Sequence, residues 1–177
     1  MSLTRLDRGV KAIIARAYEA ATDGPRTVIG EEHLLEAVAA TPRGRVLLTP
    51  LTDVVVREEI WPEVARARAA GGLSVADREA LGGVGIDVDQ VMARAEVWGG
   101  TSGEAGAVRP SGGWGQRMSD PAAVALARAE DLAVEEGTRV VGIDHVVMGL
   151  VQVPSLLTEH LRSRGVTDEA VTARRRG

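Results

Sequence analysis

Two acid–histidine pairs, Glu32-His33 and Asp144-His145, are the residues of this chain whose types could carry chemistry. A carboxylate beside an imidazole can ligate a metal or share a proton in general acid–base work. Their spacing argues against both. If each pair lies on a helix, adjacent residues point about 100° apart and are poorly placed to reach one atom together. The same residues have a structural reading. An acid in a first helical turn is favoured by the macrodipole, and a buried His can hydrogen-bond to backbone. The chain has no Cys, which excludes disulfides, thiolate nucleophiles and Cys-ligated zinc. It has no Gly-x-x-x-x-Gly-Lys phosphate loop either, and its one lysine is Lys11.

The pairs belong to a longer repeat. Ile29-Gly30-Glu31-Glu32-His33-Leu34-Leu35 returns as Val141-Gly142-Ile143-Asp144-His145-Val146-Val147, 112 positions later. The same offset carries Leu6-Asp7 onto Met118-Ser119, Ile13-Ile14 onto Ala125-Leu126, and Ala17 onto Ala129. Self-similarity of this kind predicts two related helical units. Their tails match as well, Gly85-Ile86-Asp87 with Gly165-Val166-Thr167, but at an offset of 80. The first unit is therefore expected to carry about 32 extra residues between Val38 and Gly85.

Composition allows a core but constrains its character. Hydrophobic residues make up 45% of the 177, aromatics only 2%, and Phe is absent. Such a core is built from Ala, Val, Leu and Ile, which favours helices that approach closely through small side chains. The net charge of -4 lacks the basic field of a nucleic-acid binder, so none is expected as partner. No apolar run approaches the ~20 residues of a membrane span, and the N-terminus carries no signal-like stretch, so the cytoplasm is the expected location.

In chain order, Asp7 is expected to cap a first helix whose apolar face is Val10, Ile13, Ile14, Ala17 and Ala21, ended by Asp23-Gly24-Pro25. A second helix runs from about Glu31 to Ala40 and is closed by Thr41-Pro42. Arg45 to Leu51 forms a short helix, and Val54 to Ala70 another that Trp61-Pro62 is expected to break. Gly82-Gly83 separates a short helix ending at Leu81 from one capped by Asp87, with Val88, Val91, Met92 and Ala95 inward. Seven of the residues 99–117 are Gly, which reads as a linker. Ser119-Asp120-Pro121 opens the second unit. Its first helix, ended by Gly137, presents Ala122, Ala125, Leu126, Ala129 and Ala133. A helix with Val146, Val147 and Leu150 follows, then Leu156 to Arg164 capped by Ser155 and ended by Gly165, then Asp168 to Arg174. The expected organisation is a first unit at 6–98 with its insertion at about 41–84, a linker at 99–117, and a second unit at 118–174. Trp61, Trp98 and Trp114 lie outside the duplicated elements, either covering the core or forming a peptide-binding patch. Arg162, Arg164 and Arg174 to Arg176 read as a solvated face and tail.

The duplicated pattern resembles the Clp N-terminal repeat domain, found at the front of Clp-type AAA+ unfoldases and as free-standing actinobacterial proteins. That family reads Phe/Tyr-Thr, an Ala-rich helix, Gly-His, then Ile-Gly-Thr-Glu-His-Leu-Leu. Here the corresponding residues are Leu6-Asp7, Gly24-Pro25-Arg26 and Ile29 to Leu35, then Met118-Ser119, Gly137-Thr138 and Val141 to His145. The resemblance implies an all-α fold of two pseudo-twofold-related repeats that dock adaptors or substrates without being an enzyme. It also implies what some relatives bind, phosphorylated arginine, with the acid before His on the guanidinium and the opening Thr on the phosphate. Glu32 and Asp144 keep the carboxylates. The Thr has become Asp7, whose charge repels phosphate, and Ser119, which keeps a hydroxyl beside Asp120.

The expected function is a protein- or peptide-binding module of protein quality control, needing no cofactor or metal. Its partner would be a Clp ATPase, an adaptor or a substrate, met in trans or as a decoy. Glu32, Asp144, Ser119 and Asp7 are the candidate ligand residues. The rivals are a phosphoarginine binder using the second repeat, a small-molecule enzyme using the acid–His pairs, and a helix-turn-helix regulator.

Overall fold

A computed structural model describes residues 5–22, 28–69, 80–87 and 118–176 of the chain. The fold is mostly helical, as the periodicity predicts. Its described elements are β1 (Arg5–Leu6), α1 (Arg8–Thr22), α2 (Glu31–Ala39), α3 (Pro42–Leu47) and α4 (Asp53–Val55). A π-helical turn (Val56–Ile60) leads into α5 (Trp61–Ala69). After the gap come α6 (Asp120–Glu135), β2 (Val140–Val141), α7 (Ile143–Gln152), α8 (Leu156–Ser163) and α9 (Asp168–Arg175).

The helix starts follow their caps. Asp7 Oδ1 accepts the Val10 N–H at 2.6 Å, and Ser119 caps α6 through the Ala122 N–H with Pro121 in the first turn. Ser155 and Thr167 do the same for α8 and α9. Gly137 and Gly165 end α6 and α8 with φ of 72° and 76°, a left-handed geometry in which a Cβ would be strained. Around both, the bonds are those of a Schellman turn: Thr138 N–H to Ala133 O, and Val166 N–H to Leu161 O. The same bonds recur at Ile86 N–H to Leu81 O, so the left-handed residue there is Gly85, two positions beyond the expected break at Gly82-Gly83.

Strand pairing joins segments far apart in sequence. β1 pairs in parallel with β2, Leu6 opposite Val141, and Met118 bridges in parallel to Ile29. Asp7 N–H donates to Val141 O at 3.1 Å, and Ser119 N–H donates to Ile29 O at 2.9 Å. Each segment that opens one copy of the repeat thus bonds to the segment that leads into the motif of the other. Each strand is two residues long, and helical periodicity carries no signal for a pairing so short.

One continuous core follows. It takes Val10, Ile13 and Ile14 from α1, Leu34, Leu35 and Val38 from α2, and Val146, Val147 and Leu150 from α7. The inserted segment is part of it through Leu47, Leu48, Leu51, Val56, Ile60 and Val64. Small residues set the helix approach: a Cβ on Gly149 of α7 would stand 2.2 Å from the Ala125 carbonyl oxygen of α6.

Three local expectations are corrected. Thr41 closes α2 and at once caps α3, accepting the Gly44 N–H at 2.9 Å, so the short helix begins at Pro42 rather than Arg45. The helix through Trp61-Pro62 is not broken. A π turn precedes Pro62, with the Trp61 N–H bonded to Val56 O, and this wider turn accommodates the proline. Leu126 is only partly buried, and Leu132 takes the buried place on α6. The expected cap at Asp23-Gly24-Pro25, the 99–117 linker and the helix after Asp87 lie outside the described residues.

Gly149→Ala is expected to lose about 1–3 kcal/mol in urea denaturation, because backbone cannot retreat from the added methyl and the helix-propensity gain is smaller. An unchanged midpoint would show that α6 and α7 do not meet at this glycine.

Candidate functional site

The repeated Gly-x-acid-His turns are built alike. Gly30 N–H donates to His33 Nδ1 at 2.8 Å, and Gly142 N–H donates to His145 Nδ1 at 2.9 Å. Each His therefore reaches back over its own helix start and satisfies an N–H that α2 or α7 cannot. Accepting at Nδ1 places the ring proton on Nε2, and His145 Nε2 lies 3.0 Å from Glu136 Oε2. Neither glycine is required by φ, which is -88° at Gly30 and -101° at Gly142. A Cβ on Gly30 would fall 2.3 Å from the Glu32 carboxylate, which folds back over it.

Around Asp144 the charges form a chain. Arg43 grips both carboxylate oxygens, Nε to Oδ1 at 2.9 Å and Nη2 to Oδ2 at 2.6 Å. Arg175 Nε lies 3.6 Å from the same carboxylate, while its two terminal nitrogens bond Glu136 at 2.7 and 2.9 Å. Glu136 in turn meets His145, so the sequence of contacts runs Arg43, Asp144, Arg175, Glu136, His145. The Arg43 bond holds the Asp144 carboxyl below the usual carboxylate range against the opposing effect of burial. Arg175 does the same for Glu136, with a smaller contribution from His145. Asp7 borders this cluster: its Oδ2 would lie 3.4 Å from a Cβ on Gly142.

The Glu32 side differs. Glu31 and Glu32 are 3% and 8% exposed at the start of α2. Glu32 stands 3.7 Å from His33 Nδ1, but that nitrogen already offers its lone pair to Gly30, so the contact is not an ion pair. Trp61 from the insertion closes the turn, its Nε1–H on Glu32 O at 3.2 Å and its ring edge-on to His33 with centroids 4.8 Å apart. Glu36, one helical turn on and buried, pairs with Arg57 of the π turn.

The structure thus regroups the candidate residues. Sequence put Ser119 and Asp144 together in the second repeat. Strand pairing instead sets Ser119 against Ile29, on the Glu32 side, and Asp7 against Gly142, on the Asp144 side. Arg43, Arg175 and Glu136 were not anticipated. The charged end is no free tail: Arg175 is bound as described, Arg174 donates to Leu47 O at 3.0 Å, and Arg164 pairs with Glu59 at 2.6 Å. Composition gives no sign of such pairs because the partners lie 39 to 127 residues away. Trp98 and Trp114 fall outside the described residues.

No family model matches this chain, and no curated protein does. Among solved structures it is similar to the N-terminal domain of the caseinolytic protease associated chaperone ClpD from Arabidopsis thaliana. The match covers 100% of this chain and 98% of that one, with a TM-score of 0.50 and 13% identity. At that identity the likeness speaks for the fold alone.

Asp144 and Glu136 are held below their unfolded values, which lie near 4. Both stabilise the fold above that range and lose the contribution as pH falls through their lowered folded values. Asp144→Asn is expected to cost about 1–2 kcal/mol at neutral pH in urea denaturation, discounted for partial exposure. The cost should shrink as pH falls below the ordinary carboxylate range. A penalty that stays flat between neutral and acidic pH would rule out the ionic role.

Proposed function

We propose that this chain is a non-enzymatic docking module of the Clp N-domain kind, binding protein or peptide ligands in protein quality control. The observation that carries the reading is the likeness of the whole chain to a Clp N-terminal domain fold. The acid–His turns support it, because both histidines are engaged in holding helix starts together rather than presented as a reacting pair. Function drawn from fold is analogy, and the ligand must be argued from the surface. The two-repeat organisation, 6–98 and 118–174, is part of the proposal, and the crossed bonds of Asp7 and Ser119 support it. Part of the same proposal is that the chain serves a Clp ATPase in trans, or withholds ligands from one as a decoy.

The narrower reading, phosphoarginine taken by Asp144 and Ser119, is disfavoured. Asp144 already holds the fork of Arg43, and Asp7 beside it repels phosphate. On the other side Ser119 N–H is bonded next to the Glu32 turn, but its hydroxyl already caps the Ala122 N–H.

The test is binding of the whole protein to purified Clp ATPases, their adaptors and an unfolded model substrate, with phosphoarginine as competitor. Association at micromolar levels with at least one component is expected, and phosphoarginine should not compete through Asp144. If none of these binds, the docking reading fails.

A further inference from the structure

The outward face of α1 is an unusual piece of this acidic chain. Arg8, Lys11 and Arg16 all lie on the solvent side of the helix, opposite Val10, Ile13, Ile14 and Ala17, with the small side chains of Ala12 and Ala15 between them. Arg8 to Arg16 spans about 12 Å along the axis. β1 extends the basic run, because Arg5 immediately precedes the helix and its N–H bonds to the carbonyl of Arg139 at 2.8 Å. Arg5 and Arg139 are exposed, and next to Arg139 stands Val140, 44% exposed.

Among the described residues none of these five cationic side chains has an ion pair or a side-chain hydrogen bond. Several other arginines are matched by acids: Arg43 with Asp144, Arg128 with Glu135, Arg164 with Glu59, Arg175 with Glu136. Glu19, at the far end of α1, is the one acid on this helix face. Acids outnumber bases 25 to 21 overall, so the unmatched stripe inverts the sign of the molecule locally. A mixed surface would suffice for solubility, and a single-sign stripe adds self-repulsion without any gain in folding.

We propose that the α1 face, with Arg5 and Arg139, is a docking surface for an acidic segment of a partner protein. Charge complementarity selects the occupant: Asp and Glu side chains at intervals along an extended or helical segment, with small apolar residues against Ala12, Ala15 and Val140. A nucleic acid fits less well. Tyr18, the one aromatic of α1, is packed against the core instead of being presented for stacking, and the net charge of the chain opposes a polyanion at long range. The inference rests on the docking reading for its class of partner, but its surface lies apart from the acid–His turns.

The experiment uses the whole chain and a fluorescein-labelled peptide of alternating Glu and Ala, long enough to span the stripe, read by anisotropy. Binding at low ionic strength that weakens as salt approaches physiological levels is expected. The triple variant Arg8→Glu, Lys11→Glu, Arg16→Glu should lose about tenfold or more in affinity, whereas Arg66→Glu, at an exposed position on α5, should bind as the parent does. If the triple variant loses its helical circular dichroism, the single variants Arg8→Gln and Lys11→Gln replace it, each expected to weaken binding severalfold. Equal affinities for parent and stripe variants, equal loss in Arg66→Glu, no peptide binding, or tighter binding of a duplex DNA oligonucleotide would each overturn the proposal. A Clp component that binds parent and triple variant alike, with no peptide binding, sinks this inference and leaves the docking reading. Peptide binding through the stripe with no Clp component bound does the reverse.

Discussion

Two backbone hydrogen bonds hold the architecture in register, Asp7 N–H to Val141 O and Ser119 N–H to Ile29 O. Each fixes the residue that caps a long helix against the strand that leads into a buried one. Asp7 caps α1 while lying beside Gly142, and Ser119 caps α6 while bonded beside Gly30. The starts of four helices are therefore set by two short parallel contacts. A slip of one residue in either would turn the paired side chains to the opposite face and misplace both caps. The chain crosses between segments 90 and 134 positions apart to do this, so neither segment that carries the motif builds its own lead-in.

The buried helix starts impose a second demand. α2 begins with Glu31 and Glu32 almost wholly inside the protein, and α7 with Asp144 partly so. A buried carboxylate is costly unless charge or hydrogen bonds compensate it. The two turns solve this differently. At α7 the compensation is ionic, through Arg43 and Arg175, and is strong enough to hold two carboxyls below their usual range. At α2 the Glu32 carboxylate folds over Gly30, while Trp61 takes the Glu32 carbonyl. His33 and His145 do the same work in both, which is why the motif repeats while its surroundings diverge.

The segment between α2 and the end of α5 is what makes them differ. Arg43, Arg57 and Trp61 all come from it, and they serve Asp144, Glu36 and Glu32 in turn. It also reaches the second half of the chain, where Glu59 meets Arg164 and Glu63 lies 3.2 Å from His160. Its apolar residues, Leu47, Leu48, Val56 and Ile60, are as buried as any in the core. The segment from Arg43 to Trp61 thus reaches both acid–His turns.

Helix identity, most caps and the buried stripes were legible in the sequence, because each depends on residues within a turn or two of one another. Val10, Ile13, Ile14 and Ala17 fall on one face by the helical period alone, and Asp7, Ser119 and Ser155 cap through their own side chains. The offset of 112 likewise needed only comparison of the chain with itself. What only tertiary structure decided is who meets whom across distance: Arg43 with Asp144, Arg175 with Glu136, Ser119 with Ile29 instead of with the acid of its own half. No local rule couples residues so many turns apart, since their encounter is set by packing of whole helices. The proline at position 62 makes the same point in miniature. Its bias against helix was visible, but the π turn that accommodates it is part of a helix packed into the core through Val56 and Ile60.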